Sequence, residues 1–293
     1  MNKYIVVTGG AGFIGSNLIE YFLKEEKYKI LSVDNYSTGS KKNHINNNRV
    51  KYLFGDTNNI EKILLKYRNK IDSIFHFGEY ARIHQSFSDY ETCFNSNISG
   101  TSKVFSFCLN NNIRIIYSAT SASLGNNGLD QSLSPYAYTK SKNLKFLTHL
   151  KKWFNFSYEA LYFYNVYGSR QIKKGKMATV IGIFEDQYIN KKYLTVVSPG
   201  SQSRKFTHIK DTVKGCHFVW KKNLNKHYSL SNSKSIKIID VAKMFGKMIK
   251  IVKPRLGERK KSAIVSKVGS VRVYNLNCKI NLKDYISNFI KQV

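Results

Sequence analysis

The stretch Thr8-Gly9-Gly10-Ala11-Gly12-Phe13-Ile14-Gly15 decides the fold. It follows the apolar run Tyr4–Thr8 and opens a segment in which Ile14, Leu18, Tyr21 and Phe22 recur at helical spacing. A strand, three glycines and a helix in that order suit a dinucleotide. Gly9 permits the tight turn, Gly12 lets a pyrophosphate reach the backbone, and Gly15 lets the helix pack on the sheet. The phosphates then lie over free N–H groups at the positive end of the helix. The next strand, Lys29–Asp34, ends on a carboxylate that can accept both ribose hydroxyls of NAD and repels the extra phosphate of NADP. Lys41 and Lys42 pull the other way, and NAD is the expected cofactor.

Outward from this unit the pattern alternates. Extended segments are predicted at Val50–Phe54, Ile71–Phe77, Arg114–Ser118 and Tyr158–Tyr164. Helical ones are predicted at Ile60–Tyr67, Thr92–Asn110 and Tyr136–Trp153. Such alternation specifies an α/β fold, a doubly wound parallel sheet of Rossmann type. Beyond Asn165 the pattern loosens into helices at Lys176–Lys191, Asp211–Trp220 and Ile239–Ile251, with Tyr193–Val197 extended. Residues 1–165 are therefore read as the NAD-binding domain, with the chain returning to it around 205–232. Segments 166–204 and 233–293 are read as a smaller C-terminal lobe, the last thirty residues being ambiguous.

Composition excludes some classes. No apolar run approaches ~18 residues, so no spanning helix is expected. The chain enters a strand at once without signal-peptide character, and Cys93, Cys108, Cys216 and Cys278 lack metal-ligand spacing. A cytoplasmic protein with reduced thiols and no metal is expected. The net charge of +30 arises from 48 basic and 18 acidic residues. The lysines are dispersed, and Asn, Ile, Tyr and Phe are abundant beside them, which reads as compositional drift. Attraction of an anionic substrate is the next reading, and a nucleic-acid partner is not expected.

Proton transfer to or from a hydroxyl calls for a base, and Tyr-x-x-x-Lys puts a phenol and an ammonium on one helix face. A neighbouring cation favours phenolate and pulls the phenol toward neutrality from its ordinary value near 10. Three pairs fit the spacing: Tyr136/Lys140, Tyr138/Lys142 and Tyr188/Lys192. Periodicity does not separate the overlapping first two. Ser134-Pro135, a cap and an N1 proline, favours the pair that opens the helix, Tyr136/Lys140.

These motifs together resemble the extended short-chain dehydrogenase/reductase family, and within it the nucleotide-sugar 4-epimerases of UDP-galactose type. The resemblance covers nearly the whole chain. It implies a cofactor set of Gly9, Gly12, Phe13, Ile14, Gly15, Asp34, Asn35, Ser37, Thr38, Gly39, Asp56, Thr57, Phe77, Gly78, Asn97, Ser118, Tyr136, Lys140 and Tyr164. Ser134-Pro135-Tyr136 with Lys140 is similar to the family's catalytic phrase, and the serine-rich run Ser118–Ala122 implies Thr120 as the third catalytic residue. Ser121 and Ala122 stand where the family's dehydratases carry an acid pair, which implies epimerisation rather than elimination.

The smaller lobe then implies a UDP-sugar substrate. Asn165 in Asn165-Val166-Tyr167-Gly168, Arg204 in Arg204-Lys205-Phe206-Thr207-His208, and Arg255 in Pro254-Arg255-Leu256-Gly257-Glu258 would hold the diphosphate. Glu258 would hold the uridine ribose, and Thr120 the sugar. His84 and His208 read as structural. Leu124 before Gly125, Ala81, Lys205 and Lys210 depart from the family's pattern, and a small residue at Ser262 is compatible with an N-acetyl group. A homodimer through the helices at Thr92–Asn110 and Tyr136–Trp153 is implied by the family alone.

Overall fold

The computed structural model describes residues 3–123, 130–258, 267–268 and 271–293; Leu124, Gly125 and Ser262 lie outside the described residues. The first half runs β1 (Tyr4–Thr8), α1 (Phe13–Glu25), β2 (Lys29–Asp34), β3 (Val50–Phe54), α2 (Ile60–Leu64) and β4 (Ile71–His76). It continues through α3 (Tyr90–Phe94), α4 (Thr101–Asn110), β5 (Arg114–Thr120), α5 (Pro135–Phe154) and β6 (Tyr158–Phe163). A π-helical turn, Asn95–Gly100, joins α3 to α4. The predicted strands thus form within a residue or two of their expected bounds.

The second half begins with β7 (Val166–Tyr167), α6 (Val180–Ile189), β8 (Leu194–Val197), β9 (Ser203–Lys205) and β10 (Thr207–His208). Then come α7 (Ile209–Lys222), β11 (His227–Ser231), β12 (Ser235–Lys237), α8 (Ile238–Met244) and β13 (Ile249–Val252). The chain closes with β14 (Lys267–Val268), β15 (Val271–Asn277) and α9 (Leu282–Gln292). The main sheet has the order β14-β15-β11-β6-β5-β4-β1-β2-β3, parallel throughout except where β14 meets β15.

Alternation along β1 divides the core. Tyr4 and Val6 join the layer that holds Val104, Phe105, Leu144 and Leu147 from α4 and α5. Ile5 and Val7 join the opposite layer, with Leu18, Ile19 and Phe22 of α1 and Val213, Cys216 and Trp220 of α7. Both faces of a parallel sheet are covered, so its strands read as continuous apolar runs. A third cluster, with Phe184, Leu194, Val196, Val241, Phe245 and Ile286, forms the smaller lobe.

Two expectations differ from the structure. The helix expected over Ile239–Ile251 stops early: Gly246 takes φ +63, and the β-branched run Ile249–Val252 pairs in parallel with Leu194–Val197. A left-handed residue ends the helix, and the partner strand claims the residues beyond it. The other difference is β15, which sits in the main sheet beside β11 although 233–293 was assigned to the smaller lobe. The helix expected at Asp211–Trp220 and the return around 205–232 correspond to α7 and β11, the elements that pack on and extend the sheet.

Phe22 stands edge-on to both Phe75 (5.3 Å) and Trp220 (5.1 Å), tying α1, β4 and α7 together. Phe22→Ala should cost about 3–5 kcal/mol of unfolding free energy, whereas Phe54→Ala, at a residue 77% exposed, should change it by less than about 0.5 kcal/mol. Urea denaturation of both variants checks the contrast.

Candidate active site

The carboxyl ends of β1, β2, β4, β5 and β6 open onto one cavity of about 580 Å³, the position at which open α/β sheets bind ligands. Its floor is the glycine turn. Gly9 has φ +69, and a Cβ there would lie 2.9 Å from the Phe77 and Gly78 backbone. A Cβ on Gly15 would lie 2.2 Å from the Gly9 carbonyl oxygen. α1 begins at Gly12 with no side-chain cap and no acid in its first turn, which leaves its leading N–H groups for an anion.

Asp34 is buried and accepts from the backbone N–H of Ala11 (2.9 Å) and of Tyr36 (2.8 Å), one on each oxygen. Burial raises its proton affinity and those two bonds oppose the rise. Each oxygen keeps a lone pair for a ribose hydroxyl. Lys41 and Lys42 are exposed. Asn35 donates to Asp56 (2.8 Å), closing the wall where an adenine would sit. A shaped turn, an uncapped helix start and a two-oxygen acceptor fit NAD. Gly39 lies behind the wall: a Cβ on it would meet the Asp34 carboxylate at 2.8 Å, so only glycine lets the carboxylate sit there.

Thr120, Tyr136 and Lys140 all line the cavity. α5 is set by its cap: the Ser134 hydroxyl accepts from Ala137 N–H at 3.1 Å, with Pro135 next in line. That start turns Tyr136 and Lys140 inward. Tyr138 instead faces outward, 39% exposed, stacked on Phe94 and under the Lys142 ammonium. Tyr188 packs on Phe245 and Phe289 in the smaller lobe. Tyr136 shares a hydrogen bond with Thr120, yet burial pushes its phenol up to about 12.

That direction is opposite to the expectation: burial is the main cause, and Glu79 adds to it. Its carboxylate, almost fully buried, accepts from Lys140 Nζ. It therefore compensates the ammonium that was expected to lower the phenol, and its charge adds to the rise. Burial lowers the proton affinity of Lys140 and Glu79 restores part of it. Sequence reasoning missed Glu79. Its position, three residues past the end of β4 on the ligand-bearing edge of the sheet, was the available signal. Arg82 was missed as well. It lines the cavity, donates to the carbonyls of Ala81 and Met177, and its charge eases ionisation of Tyr136.

At the far end Asn165, Arg204, Arg255 and Glu258 line the same cavity, with Arg204 and Glu258 paired at 2.5 Å. Of the other expected residues, Phe13, Ile14, Ser37, Thr38, Thr57, Phe77, Gly78 and Ser118 lie on the wall, whereas Asn97 and Tyr164 do not. Asn97 is buried, bridging Tyr80 and Thr139, and so ties the loop after β4 to α5. Tyr164 is buried in the core layer beneath. His208 caps α7 by accepting from Lys210 N–H, and His84 lies on the cavity wall. The four cysteines are buried and free, and among the described residues no helix is long and apolar enough to cross a membrane.

Residues 5–231 match the NAD dependent epimerase/dehydratase family. The chain belongs to that family. A curated member, the ADP-L-glycero-D-manno-heptose-6-epimerase of Brachyspira hyodysenteriae, is 30% identical over 84% of this chain and 81% of its own. Among solved structures, the UDP-N-acetylglucosamine 4-epimerase of Methanobrevibacter ruminantium superposes with TM-score 0.83 at 26% identity, covering 100% of this chain and 99% of its own. The UDP-glucuronic acid 4-epimerase of Bacillus cereus, solved with UDP-glucuronic acid and NAD, gives 0.83 at 26% identity over 99% of each chain. NAD is the cofactor of this epimerase/dehydratase family member.

If Asp34 holds the ribose as expected, losing its carboxylate would remove two charge-assisted bonds, each worth about 1.5–3 kcal/mol. Asp34→Ala should weaken NAD binding at least about tenfold and narrow the preference over NADP, as read by equilibrium titration with both nucleotides.

Proposed function

We propose that this protein is an NAD-dependent epimerase that inverts C4 of a UDP-hexose, the glucose/galactose or the N-acetylhexosamine pair, through a transient 4-keto sugar. One observation carries the reading: Thr120, Tyr136 and Lys140 line one cavity, and the next two residues on its wall are Ser121 and Ala122. Neither can serve as the acid or base that eliminating water requires. The two neighbours described as 4-epimerases of UDP-sugars support the same reading.

When bound, NAD takes up the hydride from C4 and returns it to the opposite face. The remaining work falls to the chain. Tyr136 Oη accepts the proton of the sugar 4-hydroxyl and later gives it back, with Thr120 bonded to both oxygens. Because burial leaves the phenol protonated near neutrality, Arg82 supplies part of the charge that draws the proton off, and bound NAD would add that of its nicotinamide ring. Arg204, Arg255 and Asn165 hold the diphosphate as a pivot and Glu258 the ribose, so that the keto sugar can turn over while its nucleotide stays in place.

A second reading, epimerisation at a different sugar carbon, is favoured by the heptose-6-epimerase relative. Proton NMR of separate mixtures with UDP-glucose, UDP-N-acetylglucosamine and the ADP-heptose distinguishes the two. A new anomeric signal of the C4 epimer is expected in one of the first two tubes; turnover in the third alone sinks the C4 assignment. Tyr136→Phe should lower kcat at least about a hundredfold while leaving bound NAD in place.

We also propose a homodimer through the helical segments Thr92–Asn110 and Tyr136–Trp153, supported by exposed Tyr90, Phe94 and Tyr138 at their adjoining ends. Light scattering should give twice the chain mass, and the monomer mass for Phe94→Glu. A monomeric parent protein would refute it.

A further inference from the structure

The buried carboxylate beside the catalytic helix is held from every side. Glu79 Oε1 accepts from Thr101 Oγ1 (3.0 Å), Tyr117 Oη (3.0 Å) and Asn143 Nδ2 (3.2 Å). Oε2 accepts from Lys140 Nζ, while the nearby Ser118 hydroxyl donates to the His76 carbonyl at 2.9 Å. Four donors converge on one carboxylate.

The bonds also have a direction. Thr101 spends its hydroxyl proton on Glu79, so at 2.9 Å it can only accept from His76 Nε2. His76 Nδ1 must then accept from Thr8 Oγ1 at 2.7 Å. Thr8 Oγ1 in turn accepts from Phe77 and Gly78 N–H at 3.1 and 3.0 Å. A single polarised chain therefore runs from the end of β1, at the glycine turn, through His76 and Thr101 to Glu79, where Lys140 donates from the other side.

We propose that Glu79 is a positioning residue for the reaction: it fixes the Lys140 ammonium on α5 and balances its charge, and the Thr8–His76–Thr101 chain fixes Glu79. The inference rests on Tyr136 and Lys140 being the catalytic pair. Its consequence is that the proton affinity of Tyr136 is set jointly by Glu79, Lys140 and Arg82. Cys93, Tyr80, Tyr117 and His76, which also face the pair, are neutral near pH 7. Burial pushes the Cys93 thiol up to about 11 and the Tyr80 and Tyr117 phenols up as well, and it brings His76 down to about 4. His84 stands on the same cavity wall.

Glu79→Gln keeps the shape and removes the charge. In NAD-loaded protein, the near-ultraviolet tyrosinate titration of Tyr136, isolated as the difference from Tyr136→Phe, should move down by about one pH unit. The acid limb of kcat/KM should move with it, and Glu79→Asp should restore the parent midpoint. An unchanged Tyr136 midpoint in Glu79→Gln overturns the proposal. The optical titration reads Tyr136 whether or not any UDP-hexose turns over, so failure of the substrate assignment is separately visible. If Glu79→Gln does not fold, nitrogen NMR of the parent protein decides the matter. Neutral His76 carrying its proton on Nε2 is expected, and a proton on Nδ1 overturns the chain.

Discussion

Three backbone segments meet at Gly9, Gly15 and Gly78 more closely than side chains would allow, and the site is built on that meeting. A Cβ on Gly9 would collide with the loop after β4, and one on Gly15 with the turn itself. Because they can touch, the end of β1, the start of α1 and the end of β4 form one rigid corner. The uncapped helix start faces the cavity from that corner. The same contact brings Thr8 within hydrogen-bond reach of His76 and of the backbone leading to Glu79. The proposed phosphate site and the electrostatics around Lys140 thus share one origin in the packing of small residues.

Electrostatically the site is sparing for a chain of net charge +30. Among the described residues, three of its four cations are engaged: Lys140 is neutralised by Glu79, Arg204 meets Glu258, and Arg82 bonds backbone carbonyls, while Arg255 lies on the same wall. A buried ammonium without a carboxylate would be costly, and a buried pair with all lone pairs engaged is tolerable. The compensation has a chemical consequence. It withholds from Tyr136 the help a bare lysine would give, so the phenol depends on other positive charge at the moment of proton transfer.

Most of the fold was legible in the sequence because each strand of a covered parallel sheet must be apolar on both faces, and runs such as Tyr4–Thr8 and Arg114–Ser118 have no other use. The glycine turn and Asp34 were legible because close backbone approach and a two-oxygen acceptor admit few residue types. Tyr136 and Tyr138 could not be told apart by period, since both pairs obey it; the Ser134 cap, by fixing where α5 begins, decides which turns inward. Glu79 was hidden because a lone acid after a strand resembles surface, and its four donors come from segments far apart in sequence. The strands at Ile249–Val252 and Val271–Asn277 were obscured for the same reason. Their partners, Leu194–Val197 and His227–Ser231, are distant, and local pattern carries no record of pairing.

In the proposed reaction the hydrogen at the inverted carbon leaves and returns as hydride within the cleft, while Tyr136 handles only the hydroxyl proton. The most direct measurement takes a UDP-hexose deuterated at C4 through turnover in ordinary water, with the product analysed by NMR. Hydride return predicts an epimer that keeps its deuterium at C4. Loss of the label to solvent would contradict it, since the carbon would then be inverted by deprotonation rather than by hydride return.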